Sequence, residues 1–305
     1  MAKKILITGA TGLVGNALQK HLKHRGYKIN TLSRKKSNDP NSYVWNVEQQ
    51  QIDPKAFEGV CAIIHLAGEA VADKKWTEER KKEIIDSRVK STQLLYKTLG
   101  SISDHQVKTI ISASAVGYYG DCGDEILTEE SENGYGFLAE CCKLWEQAVD
   151  EGKRLSLRVV KLRTGIVLST GGGALPQMAL PVKLFAGSAL GTGKQWVPWL
   201  HIDDMAEMYV HTLENINTEG SYNACAPFPV TNATLTKALA KQLHRPFWPI
   251  KTPKKAIELL MGERVDAVLM SSNTSAQKIL DSGFKFKFTH VEDALKDLYS
   301  PGRKL

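Results

Sequence analysis

The sequence predicts a doubly wound α/β fold, a parallel Rossmann sheet with a small, mainly helical C-terminal domain, and three observations predict it. Short apolar runs alternate with longer amphipathic segments through the first half of the chain. A glycine-rich stretch joins the first run to the first amphipathic segment. The run Val60–Leu66 (Val-Cys-Ala-Ile-Ile-His-Leu) is apolar on both faces, as a strand inside a parallel sheet must be.

The elements follow in order. Ile5–Thr8 reads as a short buried strand, and Leu13–His24 places Val14, Leu18 and Leu22 at helical spacing. Ile29–Ser33 is strand-like, Val60–Leu66 is the next strand, and Ser91–Leu99 is helical. The strand Lys108–Ala113, the helix Phe137–Val149 and the strand Ser156–Leu162 continue the βαβ repeat. Right-handed crossovers then put a ligand beyond the carboxyl ends of the strands. The pattern weakens after about Ser169, where Ser169–Gly173 and Gly187–Gly193 read as glycine-rich loops. One more helix is expected at Asp203–Asn215. From about Pro227, prolines 227, 229, 246, 249 and 253 punctuate short segments, with helices expected near Thr234–Leu243 and Val291–Tyr299. We divide the chain into residues 1–226, with 166–200 reaching the substrate side, and a C-terminal domain, 227–305.

Bulk properties narrow the function classes. With 42% apolar and 24% charged residues, the 305-residue chain has the composition of an ordinary globular protein that can bury a sizeable core. The net charge of +7 fits either a lysine-rich solvated surface or a field that draws in phosphates. Nucleic-acid binding is not expected, because charges of both signs are mixed, as in Glu78-Glu79-Arg80-Lys81-Lys82-Glu83. The five cysteines form no C-x-x-C pair and no zinc spacing, which suits a reducing cytoplasm and implies no metal site. The first apolar run is too short for a signal sequence, and no run approaches the roughly 18 residues of a membrane span.

The chemistry begins at Gly9-Ala10-Thr11-Gly12-Leu13-Val14-Gly15, which follows the first strand and opens the first helix. Glycines there permit the tight turn, the approach of backbone to a pyrophosphate, and close helix–strand packing. The helix N-terminus offers N–H groups and partial positive charge to phosphates. The second strand ends Thr31-Leu32-Ser33-Arg34-Lys35-Lys36, without the carboxylate that would hold the ribose hydroxyls of NAD. Ser33 can hydrogen-bond a 2′-phosphate, and Arg34 can pair with it and stack on adenine, so the expected cofactor is NADP(H).

These residues together resemble the short-chain dehydrogenase/reductase superfamily, more closely its extended epimerase/dehydratase branch. Gly9–Gly15 resembles that superfamily's T-G-x-x-G-x-x-G turn, and His65-Leu66-Ala67-Gly68 its loop lining the adenosine and ribose. Ser112-Ala113-Ser114 with Tyr118-Tyr119-Gly120 resembles the segment carrying its active-site Ser or Thr. Arg163-Thr164-Gly165-Ile166-Val167 resembles its next strand end, near the nicotinamide, and His201-Ile202-Asp203-Asp204 the lead into its late helix. Leu66–Glu69, Glu83–Arg88, Pro198–His201 and the tail around Gly283-Phe284 and Ala294-Leu295 resemble a subfamily of sugar-nucleotide epimerase-like "epimerase family" proteins with their own C-terminal domain. The resemblance implies cofactor contacts from Gly9, Thr11, Gly12, Leu13, Val14, Gly15, Ser33, Arg34, Leu66, Ala67, Glu83, Arg88 and Val167, with Glu69 and His201 on the substrate side.

Catalysis departs from the superfamily. Its enzymes use Tyr-x-x-x-Lys on the helix after the Ser strand, the Lys lowering the Tyr pKa from about 10 toward neutrality. Here that helix reads Tyr135-Gly136-Phe137-Leu138-Ala139-Glu140-Cys141-Cys142-Lys143-Leu144-Trp145-Glu146. Set by Trp145-Glu146, the register puts Leu138 at the Tyr position and Cys142 at the Lys position. Two readings stay open. In one, Tyr119 or Glu69 moves the proton and Ser114 hydrogen-bonds the substrate, in an oxidoreductase or epimerase acting on a small molecule such as a nucleotide sugar. In the other, the chain binds NADP(H) without the usual chemistry, as a regulatory or redox-sensing module. Neither reading fixes an oligomeric state.

Overall fold

A computed structural model describes residues 3–302. Its centre is an eight-stranded sheet built from β1 (Lys4–Thr8), β2 (Lys28–Ser33), β3 (Ser42–Asn46), β4 (Gln51–Ile52), β5 (Val60–His65), β6 (Thr109–Ala115), β7 (Arg158–Thr164) and β8 (Gly220–Ala224). The spatial order is β8-β7-β6-β5-β1-β2-β3-β4. Every neighbouring pair is parallel except β3 and β4. The chain runs outward from β1 in one direction, returns, and runs outward from β5 in the other. The switch between β1 and β5 is where a doubly wound sheet leaves its ligand crevice.

The strands sit there because alternate side chains feed two cores. Ile5 and Ile7 of β1, Ala62 and Ile64 of β5 and Val160 and Leu162 of β7 enter one core. Leu6, Ile63, Ile110 and Val159 enter the other. Full burial of such a side chain contributes about 1.5–3 kcal/mol, which is why these runs are apolar on both faces. Helices α1 (Leu13–His24) and α5 (Ile202–Glu214) cover the first core, and α2 (Glu78–Gly100) and α3 (Phe137–Asp150) the second. Between α3 and α5 lies α4 (Ala174–Lys183), a helix between the two expected glycine-rich loops to which the sequence reading assigned no element. Pro176 falls in its first turn, where a missing N–H costs little, but Pro181 stands inside the helix and masks its pattern.

The C-terminal region is largely helical: α6 (Asn232–Gln242), α7 (Lys254–Met261), α8 (Val265–Leu269), α9 (Gln277–Asp281) and α10 (Val291–Leu298). It shares a third core with the segment that precedes it. Leu235, Leu239, Val291, Leu295 and Leu298 pack with Leu168, Leu175, Val182 and Trp199. Two polar contacts tie the region to the open ends of the strands: Arg264 donates to the Ala72 carbonyl at 2.6 Å, and Glu263 pairs with Lys81 of α2 at 2.7 Å. No helix among the described residues is long and apolar enough to cross a membrane.

Candidate functional site

The glycine turn leaves β1 through Gly9, whose φ is +67°. A Cβ on Gly9 would stand 2.8 Å from the Leu66 carbonyl, and one on Gly15 would stand 2.4 Å from the Gly9 oxygen. Both positions therefore exclude any side chain. Helix α1 begins after Gly12 with no side-chain cap and no acidic residue in its first turn. Asn16 N–H is the first to bond back, to Gly12 O at 2.9 Å, so the N–H groups of Leu13, Val14 and Gly15 lead the helix. By contrast, α2 is capped by Thr77 and α5 by His201, each with two acidic residues in the first turn. An uncapped N-terminus without a carboxylate suits an anionic ligand; α4 and α7 share that trait, and what sets α1 apart is that it leads directly out of β1 through the glycine turn. Thr11 is exposed on the turn, and Leu13 and Val167, both half-buried, pack against the third core.

Behind the turn lies a buried chain of hydroxyls and imidazole that the sequence did not announce. Thr8 Oγ1 accepts the N–H groups of Leu66 and Ala67, each at 3.1 Å, and its own proton goes to His65 Nδ1 at 2.7 Å. His65 Nε2–H then faces Ser91 Oγ at 3.1 Å, and Ser91 donates to the Arg88 carbonyl at 3.1 Å. Burial, with the Arg88 charge in support, pulls the His65 pKa down to about 3, so the ring is neutral. The chain fixes the Leu66–Ala67 loop against β1 and α2. Its sequence signal is helical spacing: Arg80, Ile84, Arg88 and Ser91 share one face of α2.

At the end of β2, Ser33 Oγ accepts Lys35 N–H at 3.2 Å, and the Arg34 side chain is 80% exposed. Arg34 Nη1 lies 2.7 Å from Glu69 Oε1. The other Glu69 oxygen is 3.3 Å from Nη1 of Arg80, a buried cation that also holds Glu83 at 2.8 Å and the Ala70 carbonyl at 2.6 Å. Burial would raise the Glu69 carboxyl, but Arg80 and Arg34 outweigh it and hold the group below the ordinary range. Glu69, expected on the substrate side, stands at the β2 edge, ionised between two arginines. Glu83 is exposed and reaches the site through Arg80.

Arg88 packs against Gly68, where a Cβ would meet its guanidinium carbon at 3.0 Å, and lies 4.9 Å over the Trp145 ring. Beside it, burial pushes the Cys142 thiol up to about 12, so this residue offers neither a thiolate nor a cation. Leu138, at the superfamily's Tyr position, packs into an apolar cluster of Trp76, Ile84, Cys141, Val71, Ile85 and Phe137. Trp76 and Phe137 meet edge to face at 4.9 Å.

The structure places both residues expected to act on substrate in the interior. Tyr119 is 0% exposed; its hydroxyl donates to Asn223 Oδ1 at 2.7 Å and accepts from Arg163 Nη1 at 3.0 Å. Burial raises its pKa, away from the range an acid/base needs. Ser114, also buried, donates to Glu146 Oε1 at 2.7 Å, and Glu146 is held bidentately by Arg163 at 2.8 and 3.0 Å. Burial would raise the Glu146 carboxyl, but Arg163 outweighs it and keeps the carboxylate ionised. These groups satisfy one another inside the sheet.

His201, expected on the substrate side, is 0% exposed and packs against the Phe288 ring, tilted by 34° at a centroid distance of 4.0 Å. It caps α5 by accepting Asp203 N–H on Nδ1 at 3.1 Å, which leaves the ring proton on Nε2, 3.4 Å from Asp297 of α10. Asp204 accepts the Lys287 and Phe288 N–H groups at 2.8 and 3.0 Å. His201, Asp203 and Asp297 bring three donor atoms within 4.8 Å of one another. With one ring nitrogen accepting and the other protonated, the histidine latches the C-terminal tail and has no lone pair for a metal.

The site thus fits a dinucleotide phosphate on this chain's own residues. Two glycines admit no side chain, the α1 N-terminus at the end of the glycine turn carries no side-chain cap, and a serine and an exposed arginine stand at the β2 end. Comparison with known proteins agrees. Residues 5–225 match the NAD dependent epimerase/dehydratase family, and residues 252–298 match a domain of unknown function. An epimerase family protein of Mycobacterium tuberculosis is 33% identical over 292 residues, covering 95% of this chain and 96% of that one. The structure of human epimerase family protein SDR39U1 with NADPH superposes with a TM-score of 0.87 at 30% identity, covering 97% and 98% of the two chains. A nucleoside-diphosphate sugar epimerase of Corynebacterium glutamicum superposes at 0.80 with 34% identity, covering 97% of this chain but 58% of that one. The Rossmann sheet, the glycine turn and the C-terminal match place the chain in the NAD dependent epimerase/dehydratase family, of the kind represented by the epimerase family proteins.

Proposed function

We propose that this protein binds NADP(H) on the Gly9–Gly15 turn and passes hydride between the nicotinamide and a small-molecule substrate, as an oxidoreductase. The observation that carries the reading is the pairing of the uncapped α1 N-terminus with Arg34, 80% exposed, at the end of β2. The cofactor, when bound, supplies the hydride. The chain's own residues bind and orient. N–H groups of the α1 N-terminus hold the pyrophosphate, Ser33 and Arg34 hold the 2′-phosphate, and Leu66, Ala67 and Val167 line the path between. Arg88, stacked on Trp145 beside the Cys142 that replaces the superfamily's lysine, takes the cationic place on the ribose side.

Reduction of an acceptor fits this site better than epimerisation. Epimerisation through a keto intermediate must first remove a hydroxyl proton, which calls for a positioned base. Leu138 and Cys142 provide none, and Tyr119 is buried. A reduction can take its proton from water. NADPH in the human relative supports the phosphate-bearing cofactor. In this reading residues 227–305 close the substrate side, and the compartment is the cytoplasm, where the five cysteines stay free.

The apolar cluster around Leu138 favours a second reading, a binding or redox-sensing module without turnover. The two separate on one experiment. NADPH carrying deuterium at C4 is incubated with the protein and a panel of aldehydes, ketones, enones and quinones. Deuterium in any product supports the oxidoreductase. Tight NADPH binding with no transfer across the panel supports the module. NADH bound as tightly as NADPH would overturn the cofactor assignment itself.

A further inference from the structure

We infer that Glu69 is a built-in competitor for Arg34, so that NADP(H) is released and exchanged and not retained as a fixed prosthetic group; this rests on the reading of Arg34 as the 2′-phosphate residue. The geometry is specific. Glu69 Oε1 lies 2.7 Å from Arg34 Nη1, and this is the one ion pair of Arg34 among the described residues. The carboxylate is anchored from the protein side, by Arg80 at 3.3 Å and through its backbone N–H donating to Ser87 Oγ at 3.0 Å. Arg80 is 7% exposed and divided among Glu69, Glu83 and the Ala70 carbonyl. It therefore screens Glu69 only in part. β2 and β5 flank β1, so the Arg34–Glu69 pair crosses the carboxyl end of β1, above the start of the glycine turn.

A dinucleotide on that turn places its adenosine ribose at the β2 end. The 2′-phosphate must then draw Arg34 away from Glu69 and accept a neighbouring negative charge. On release Arg34 returns to Glu69, so the empty protein carries no bare cation at the site. A dinucleotide without the 2′-phosphate meets neither cost. An exposed ion pair and a like-charge contact at such a surface are each small, and together they amount to roughly a tenfold change in affinity. Glu69 thereby hastens release and narrows the preference for NADPH over NADH. An enzyme that keeps its cofactor through a cycle gains nothing from this device, whereas one that consumes NADPH must exchange it at every turnover.

The test uses four full-length proteins: wild type, Glu69→Gln, Arg34→Ala and the double variant. Gln keeps the shape of Glu69 and an acceptor for Arg34, and Arg80 retains Glu83 and Ala70 O; unchanged thermal unfolding checks that the fold is kept. NADPH and NADH affinities are measured by calorimetry, and dissociation rates by stopped-flow fluorescence. We expect Glu69→Gln to tighten NADPH binding and slow its release roughly tenfold, with NADH changed by less than about twofold. The gain should vanish in the Arg34→Ala background. If Arg34→Ala weakens NADPH selectively but Glu69→Gln leaves it unchanged or weaker, Glu69 orients Arg34 and does not compete, and the inference fails alone. If Arg34→Ala does not alter the NADPH/NADH preference, the cofactor reading of Arg34 fails and takes the inference with it.

Discussion

The two ends of the candidate site are built on opposite plans. At the adenosine end, polar groups are left available: N–H groups lead α1, and Arg34 reaches into solvent on a single carboxylate. Around Ser114 and Leu138, polar groups are spent or gone. Ser114, Tyr119, Glu146 and Arg163 satisfy one another in the interior, and the position of the superfamily's tyrosine is packed among Trp76, Phe137 and Cys141. A group reserved for a ligand must be short of a partner, or hold one it can give up, while a group reserved for the fold must have every partner filled. By that criterion the groups around Gly9–Gly15 and Arg34 remain available to a ligand, while Ser114, Tyr119, Glu146 and Arg163 serve the fold.

The largest effect should come from opening the buried network. Glu146→Ala removes both hydrogen bonds of Arg163 to the carboxylate and strands a buried cation. Breaking such a pair from one side costs about 3–5 kcal/mol, readable as a lower urea midpoint. A variant of wild-type stability that had lost only activity would move Glu146 into the chemistry and undo the comparison.

The adenosine end has its own structural polar group, and pH should expose it. His65 titrates at about 3 in the folded protein against 6.5 unfolded. Between those values the unfolded chain binds a proton that the folded chain refuses, so stability falls as pH falls. From pH 6.5, where the unfolded imidazole is half protonated, to pH 5 the loss is roughly 1–2 kcal/mol. In His65→Gln that part of the slope should disappear while the other titrating groups keep theirs. An unchanged slope would mean that the Thr8–His65–Ser91 chain does not hold a neutral ring.

How much of this was legible in the sequence depended on distance along the chain. The strands β1 and β5 announced themselves because burial on both faces forces continuous apolar runs. Strand β8 (Gly-Ser-Tyr-Asn-Ala) did not, since it is an edge strand and its Asn223 serves the buried network. The glycine turn was legible because its pattern of glycines falls within seven residues, although the Leu66 carbonyl that closes on Gly9 comes from the end of β5. The position of Arg34 at the end of β2 was legible, but its partner Glu69 comes from 35 residues further on, and His65 meets Thr8 across 57. Those pairings arise only when β2 and β5 take their places on either side of β1. Tyr119 and Ser114 misled for the same reason: a strand-end motif gives their position, while Glu146, Arg163 and Asn223, which take up their hydroxyls, arrive from α3, β7 and β8.

The smallest expected effect bears most directly on that error. Tyr119→Phe deletes one hydroxyl from the interior without changing the ring that packs there. Asn223 Oδ1 loses a donor, but its Nδ2 keeps the Leu127 and Ser275 carbonyls at 3.2 and 3.0 Å. Arg163 Nη1 loses an acceptor and keeps the Glu129 carbonyl at 3.1 Å. With every other partner in place, the cost should be about 1–2 kcal/mol of stability. NADPH affinity, and any hydride transfer found, should be unchanged, because no part of the hydroxyl reaches the surface. A superfamily acid/base tyrosine would give the reverse pattern, with stability kept and rate lost by orders of magnitude. Measuring unfolding and deuterium transfer on the same preparation therefore decides whether this hydroxyl belongs to the fold or to the reaction.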